Sequence, residues 1–274
     1  MARLPIVEIL RVLDRSNCGE CGAVTCVAFS AQVAQGARRL EECPRVPADV
    51  AARMEIASAE RSAATDLFQG RLESLRGRMN DVDLEDAAAR IGGSMSEDRL
   101  AIHCLGRVFE LDREGRLTSQ CHVIPWVHIP ILDHVIDGSG AEPTGDWARF
   151  RELEGAQDWV RYFEHRCEAP MEALAGEHAG FFDDLLRIFA GREPSGALAR
   201  HAPVADRSVV LRPLPRVPLL FSAWRADGDF DSKLTLLLDR TATANLSPGS
   251  IFLVARGLVE MFRRTLLRHA PYTA

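Results

Sequence analysis

The sequence predicts an α+β fold in which a small helical module is followed by a mixed domain of antiparallel strands and helices. Two observations predict it. Four of the seven cysteines lie within the first 43 residues, among short helical patterns, and Pro44 and Pro47 close that segment. From about residue 99, short β-type runs and helical patterns come in blocks, whereas a parallel α/β sheet would alternate them.

The opening segment MARLPIVEILRVL has the pattern of an amphipathic helix, with Pro5 in the first turn and its apolar face toward a core. The residues expected on that face are Ile6, Ile9, Leu10 and Leu13. Charged residues interrupt the segment and no small-residue cleavage site follows, so a signal peptide is not expected. No run approaches the roughly 18 apolar residues of a membrane span, and a cytoplasmic protein is expected.

The four N-terminal cysteines are spaced with two residues between the first pair, four before the third and sixteen before the fourth. They are Cys18, Cys21, Cys26 and Cys43. Four thiolates are what a cubane cluster needs, one for each iron. An odd number of cysteines without an export signal also fits thiolate ligation better than a disulfide framework. We therefore predict one 4Fe-4S cluster on these four residues.

The residues around these cysteines suit such a site. Gly19 and Gly22 allow a tight loop whose backbone amides can approach the sulfides of a cluster. Cys26 begins a helical stretch that ends near Gly36, so its thiolate lies at a helix N-terminus, where partial positive charge favours an anion. A structural zinc site also takes four cysteines, but zinc ribbons usually show two close pairs, and this sequence has one.

The next stretch, residues 49–79, is rich in Ala, Arg and Glu and predicts a connector or packing helix, broken near Gly70 or Gly77. An antiparallel meander follows, with a turn at residues 113–115. Its strands are expected over 100–104, over 107–112 and from Arg116. Helical spacing returns over 126–136, 147–168 and 178–190.

A second β section closes on a final helix. Its strands are expected over 208–212, 217–224 and 233–239, the last two facing each other across a polar turn. Prolines at 213, 215 and 218 mark edge or irregular strands. The final helix begins where Ser247 can cap it and Pro248 fits its first position.

The segment NCGECGAVTCVAFSAQVAQGARRLEECP resembles the cluster-binding segment in the large subunit of the corrinoid iron–sulfur proteins of anaerobic acetyl-CoA metabolism, and is similar to a segment of electron-transport-complex subunits. The resemblance covers about residues 1–47. It implies that the four matching cysteines hold a 4Fe-4S cluster that delivers an electron to a corrinoid cobalt. The barrel and the corrinoid-binding C-terminal domain of that family have no counterpart in the sequence.

The segment LRPLPRVPLLFSAWRADGDFDSKLTLLLD resembles domain of unknown function 3786, found in anaerobic bacteria and archaea. This second resemblance covers roughly residues 85–268 and implies an arrangement and an anaerobic lifestyle, but no activity. Together the two resemblances predict a 4Fe-4S cluster-binding module over 1–47, a helical connector over 48–84 and an α+β domain of unknown function over 85–274.

Other candidate ligands have simpler interpretations. We expect Cys104, Cys121 and Cys167 to be buried free thiols, and His103 and Cys104 to point to opposite faces of a strand. His128 or His134 is a candidate axial ligand for a corrinoid, against the alternative of core histidines. The alternating carboxylates at 227, 229 and 231 suggest a solvated turn in place of a calcium loop.

The composition argues against one class of function. The net charge is −6 and no basic block occurs, which argues against a general nucleic-acid surface.

The leading hypothesis is an iron–sulfur protein that passes low-potential electrons to a redox partner protein or to a cofactor. A corrinoid or a corrinoid protein is the first acceptor to test. The alternative is a ligand- or tetrapyrrole-binding protein in which the cluster is structural or senses redox state. Either function fits better than a stand-alone enzyme.

Overall fold

The computed structural model describes residues 4–178, 180–225 and 232–269, with the side chains of 60–64 and 266–269 outside that description. The chain divides into two compact units between Arg71 and Leu72. Helices make up 51% and strands 17% of the structure, and the sheets are antiparallel, which confirms the predicted α+β class.

The first unit is helical. Its helices are α1 (Ile6–Val12), α2 (Cys26–Ala34) and the first part of α3 (Ala48–Arg78), with a 3-10 turn at Leu40–Glu42. Ile9, Phe29 and Leu40 form the centre of its core and are at most 1% exposed. The expectation that Ile6 faces the core is wrong, because this side chain is 42% exposed and Leu4 fills that end of the core.

Helix α3 runs unbroken through Gly70 and Gly77, so the predicted break is wrong. A glycine inside a helix costs about 1 kcal/mol relative to alanine. The neighbouring residues are mostly strong helix formers, and neither glycine has another atom within 4 Å of the position of a Cβ. Local propensity therefore outweighs the two glycines.

After the last residues of α3, the second unit continues with a short helix and a four-stranded antiparallel sheet of strand order β1-β2-β3-β4. These elements are α4 (Leu84–Ile91), β1 (Ser94–Ser96), β2 (Arg99–Cys104), β3 (Arg107–Leu111) and β4 (Leu117–Thr118). The predicted meander is confirmed, and β1 is an additional strand. Leu105 and Gly106 join β2 to β3 with φ values of 49° and 75°, as a tight hairpin of this length requires.

A second antiparallel sheet has the strand order β5-β8-β7-β6. Its strands are β5 (Trp147–Ala148), β6 (Arg207–Leu214), β7 (Val217–Trp224) and β8 (Lys233–Asp239). Strand β6 is an edge strand with a register shift between Leu211 and Leu214, as its prolines predict. Strand β7 lies inside the sheet, where Pro218 is tolerated because it faces the irregular part of β6.

The remaining helices cover these sheets. They are α5 (Pro125–Asp137), α6 (Val160–Phe163), α7 (Ala169–Glu177), α8 (Phe181–Ile188), α9 (Ala242–Asn245) and α10 (Pro248–His269). The predicted helix over 147–168 is largely wrong, because the segment begins with β5 and two 3-10 turns and ends in a π-helical turn. Helix α10 begins as predicted, since Ser247 Oγ accepts a hydrogen bond from the Ser250 amide at 3.3 Å.

Candidate metal centre

Two glycine turns shape the loop that carries Cys18 and Cys21. Gly19 and Gly22 have φ values of 74° and 78°, in the left-handed region that other residues rarely adopt. The Gly22 amide donates a hydrogen bond of 2.7 Å to the Gly19 carbonyl. The backbone therefore turns tightly at Glu20 and Cys21, as the sequence predicts.

The third cysteine is the first residue of helix α2. Thr25 caps the helix, because its Oγ1 accepts a hydrogen bond of 3.0 Å from the Ala28 amide. The Cys26 amide donates a hydrogen bond of 2.8 Å to Oδ1 of Asn17. Asn17 has a φ of 53°, a conformation that asparagine tolerates better than most residues. The residue before Cys18 is thereby held against Cys26.

The segment that follows Cys43 contacts the segment around Cys18 through the side chain of Arg45. The guanidinium of Arg45 donates to both carboxylate oxygens of Glu20, at 2.6 and 3.2 Å, and to Asp14 at 3.1 Å. Arg45 also lies near the side chain of Cys18. Arg45 therefore joins the segment that follows Cys43 to the loop that carries Cys18.

The four thiols differ in burial. Cys43 is 6% exposed and belongs to the core of the first unit, against which half-buried Cys21 and Cys26 pack. Cys18 is exposed, and none of the four is in a disulfide. Three of the four predicted ligands thus contact one apolar cluster, while the fourth lies at the surface.

The donor set suits a cluster of iron and sulfide better than most other groups. Thiolates are the usual ligands of such clusters, and the left-handed glycines and the start of α2 supply backbone amides near the cysteines. Across the described ranges, no three or more His, Cys, Asp or Glu side chains are grouped to hold a metal ion. The four N-terminal thiols are therefore not grouped as a metal site in the described residues, and the fit to a cluster rests on the chemistry of the donors.

The three remaining cysteines are not gathered into a site. Cys104 and Cys167 are buried as expected, and burial raises the pKa of each thiol to about 12. Cys121 is exposed, which corrects the expectation that it is buried, because it follows the two-residue strand β4. His103 is exposed beside buried Cys104, so the two side chains face opposite sides of β2 as predicted.

Both candidate axial histidines lie inside α5 and make hydrogen bonds. His128 Nε2 contacts the Gly115 carbonyl at 2.8 Å, and His134 Nδ1 contacts the Asn245 carbonyl at 2.7 Å. They are 5% and 0% exposed. These are core histidines, and burial lowers the pKa of each. The acidic turn at 227, 229 and 231 lies outside the described residues.

Sequence reasoning missed the residues that hold the cysteine loop together. These are Asp14, Asn17, Glu20 and Arg45. A signal was available, because short polar or charged residues directly precede Cys18, lie between the first two cysteines and follow the Cys43-Pro44 pair. Their partners could not be paired from the sequence, since each acts on a residue up to 31 positions away.

Within the described ranges, no helix is long and apolar enough to cross a bilayer.

Models for two families match the chain. One, described as "Putative Fe-S cluster", matches residues 13–45, and the other, described as a domain of unknown function (DUF3786), matches residues 83–261. The chain is also similar to two curated proteins over part of its length. No solved structure is significantly similar to it.

The first relative is the corrinoid/iron-sulfur protein large subunit of Moorella thermoacetica, 48% identical over 40 residues, which are 15% of this chain and 9% of that protein. The second is one component of the Na(+)-translocating ferredoxin:NAD(+) oxidoreductase complex of Acetobacterium woodii. It is 33% identical over 101 residues, which are 34% of this chain and 30% of that component. The chain thus spans less than a third of either relative.

Proposed function

Because the chain belongs to the DUF3786 family and is an iron–sulfur protein, we propose that one 4Fe-4S cluster transfers single low-potential electrons from its N-terminal unit. The proposed ligands are Cys18, Cys21, Cys26 and Cys43. We propose the same module boundaries as above, with the cluster module over 1–47, a connector over 48–84 and a domain of unknown function over 85–274.

One observation carries this proposal most strongly. The loop with Cys18 is tied to Cys26 through Asn17, and to the segment after Cys43 through Arg45. These two links connect three separated segments that carry cysteines, although the four thiols are not grouped closely enough in the described residues to hold a metal ion. The similarity to cluster-binding segments supports the same four ligands.

Full ligation by four thiolates favours electron transfer over catalysis at the cluster. When bound, the cluster supplies one-electron chemistry, and each iron already has a protein ligand. The chain's own residues would tune the potential. At the start of α2, the Val27 amide is not engaged by the side chains of Asn17 or Thr25 and would donate a hydrogen bond to sulfur. The apolar cluster around Cys43 would lower the local polarity.

The acceptor is proposed from the relatives. One belongs to a corrinoid/iron–sulfur protein and the other to an oxidoreductase complex. We propose that this chain acts with a redox partner protein in anaerobic metabolism, and that a corrinoid, free or bound to a protein, is the first acceptor to test.

Anaerobic reconstitution with iron and sulfide tests the cluster. We expect about four irons and four sulfides per chain and an absorbance near 400 nm that bleaches with dithionite. Cys21→Ser should lose most of this absorbance, whereas Cys121→Ser, which removes an exposed thiol elsewhere, should keep it. Zinc in place of iron, or an intact spectrum in Cys21→Ser, contradicts the proposal.

Cys21→Ser also separates electron transfer from the alternative function. Loss of electron delivery to a low-potential acceptor, with the second unit still folded, supports the proposal. Loss of folding or of ligand binding in the second unit supports a structural or sensing cluster. Circular dichroism and metal analysis for iron, zinc and cobalt on the same samples distinguish these results.

A further inference from the structure

A π-helical turn interrupts the helix that covers the second sheet. It spans Glu164–Glu168, between α6 and α7. Such turns are rare, and they occur frequently at functional sites because the extra residue changes the direction of the side chains that follow. Here the turn ends on Glu168, which lines two cavities together with Arg149. Glu172, one turn further along α7, lines the second of these cavities and a third one.

The facing wall of this groove is the edge of the second sheet. Strand β5 pairs only with the last two residues of β8, Leu238 and Asp239, so the first five residues of β8 lie at an edge. This wall carries Lys233, the only lysine of the chain, and Arg149 follows β5. A cavity of about 140 Å³ lies between the walls, and a neighbouring cavity of about 180 Å³ shares Glu172 and Lys233 with it.

The charges that line the groove are not paired with one another. Within the part of the chain that the structure describes, no ion pair within 4 Å includes Arg149, Glu168, Glu172 or Lys233. Elsewhere in this unit opposite charges do meet, as in the 2.8 Å pair of Arg207 and Asp183. The groove therefore holds carboxylates and cations apart across an open space.

Two of these charges are half-buried. Glu168 and Arg149 have lost part of their hydration without gaining an ion-pair partner. Desolvation, followed by the nearby Glu164, raises the pKa of Glu168 above its usual range. A buried charge is costly unless it is paired or hydrogen-bonded, and both groups face the same cavity. A ligand that carries both charges would compensate both.

We propose that this groove binds a small zwitterionic molecule of amino-acid size. Its cationic nitrogen contacts Glu168 and Glu172, and its anionic group contacts Arg149 and Lys233. The cavity of about 140 Å³ corresponds to about five water volumes at roughly 30 Å³ each, enough for a compact amino acid. The neighbouring cavity, which shares Glu172 and Lys233 in its lining, offers space for a side chain. Edge carbonyls and amides of β8 are available for further hydrogen bonds.

Binding of the free amino acids to the full-length chain tests this proposal. Each of the twenty common amino acids is added at constant ionic strength, and the shift in the unfolding temperature of the chain is measured. The amino acids that raise this temperature are then titrated by calorimetry. Propionate and propylamine serve as probes that carry only one of the two charges. We expect at least one amino acid to bind at least tenfold more tightly than either probe.

Variants identify the groove as the site. Glu168→Gln and Lys233→Met should each weaken that amino acid about tenfold or more, because each removes a charge-assisted hydrogen bond. Glu177→Gln and Arg166→Gln remove exposed charges on the same helical segment, outside the cavities, and should bind as the wild type does.

Three results overturn the proposal. They are the absence of binding by every amino acid, unchanged binding in both Glu168→Gln and Lys233→Met, and binding of propionate as tight as that of the best amino acid. The last result would identify an anion site. Because Lys233 is an exposed residue at the start of β8, its variant is expected to fold even if Glu168→Gln does not.

Discussion

Arg45 is an exposed residue whose side chain connects three parts of the first unit. It donates hydrogen bonds to Glu20 and Asp14 and lies near the side chain of Cys18. Glu20 and then Asp14 are the main causes that raise the pKa of Arg45, so its positive charge is permanent. In the proposed cluster, a fixed cation beside Cys18 would stabilise a thiolate ligand there and limit the motion of its loop.

Arg45→Gln should release the proposed cluster about tenfold faster to an iron chelator, because partners that orient metal ligands contribute about that much to metal affinity. The decay of the absorbance near 400 nm measures the rate. Arg53→Gln is the control, since Arg53 also forms an exposed ion pair, with Asp49 at 2.8 Å on α3. Equal rates in the two variants would contradict a role for Arg45 at the site.

The cysteines of the second unit should react with alkylating reagents in a fixed order. Cys121 is exposed, whereas Cys104 and Cys167 are buried with pKa values of about 12. At pH 8 a thiol with that pKa is about 0.01% thiolate, and the thiolate is the reactive form. Iodoacetamide on the folded chain, followed by mass spectrometry, should modify Cys121 alone among these three. Modification of Cys167 at the same rate would show that α10 does not cover it.

Among the helices, the packing of α5 on α10 depends on a glycine. The indole ring of Trp126 lies against Gly257, where the Cβ of any other residue would overlap the ring. Gly77 in α3 is also a helical glycine, but nothing lies within 4 Å of its Cβ position. The two glycines look alike in the sequence and differ only in what packs against them.

Substitutions at these two glycines should therefore change stability in opposite directions. Gly257→Val should lower the free energy of unfolding by about 1–3 kcal/mol or more, because the helices must separate to admit the side chain. Gly77→Ala should raise it by up to about 1 kcal/mol through helix propensity. Urea unfolding followed by circular dichroism measures both. A neutral Gly257→Val would mean that Trp126 can move aside.

Across the second unit as a whole, a buried polar group connects distant segments. Nδ2 of Asn245 lies within hydrogen-bonding distance of the carbonyls of Ala141, Arg216 and Thr241, at 2.8, 3.1 and 3.3 Å. The backbone carbonyl of Asn245 accepts a hydrogen bond from Nδ1 of His134. The imidazole is fully buried, so protonation would place a charge in the core.

The second unit should lose stability as the pH falls below about 6.5. Desolvation is the largest cause that lowers the pKa of His134 in the folded chain, whereas the unfolded chain has the usual value near 6.5. Below 6.5 the unfolded state binds the extra proton, so stability drops by up to about 1.4 kcal/mol for each pH unit. Thermal unfolding at pH 7.5 and 5.5 measures this slope, and His134→Gln should reduce it. An identical slope in that variant would exclude His134 as the cause.

Elements set by local pattern could be predicted, while those set by partners could not. The start of α10 follows from the capping residue Ser247, and the hairpins of both sheets follow from alternating apolar residues. The segment over 147–168 has helical spacing but forms β5 and a π-helical turn, because β8 offers hydrogen-bond partners to Trp147 and Ala148. The prediction that Ile6 is buried was wrong for a similar reason, since Leu4, which lies outside the helical pattern, packs in the core instead.

The cysteine spacing, the α+β class and the family resemblance can be read from the order of the residues, because thiolate count, residue periodicity and turn residues act over short stretches of chain. Three features needed the folded molecule: Asn17 and Arg45 hold the cysteine loop, Cys121 is exposed, and Glu168 and Arg149 face one cavity unpaired. Those features depend on which distant residues meet, and the composition and spacing of a single chain do not specify that.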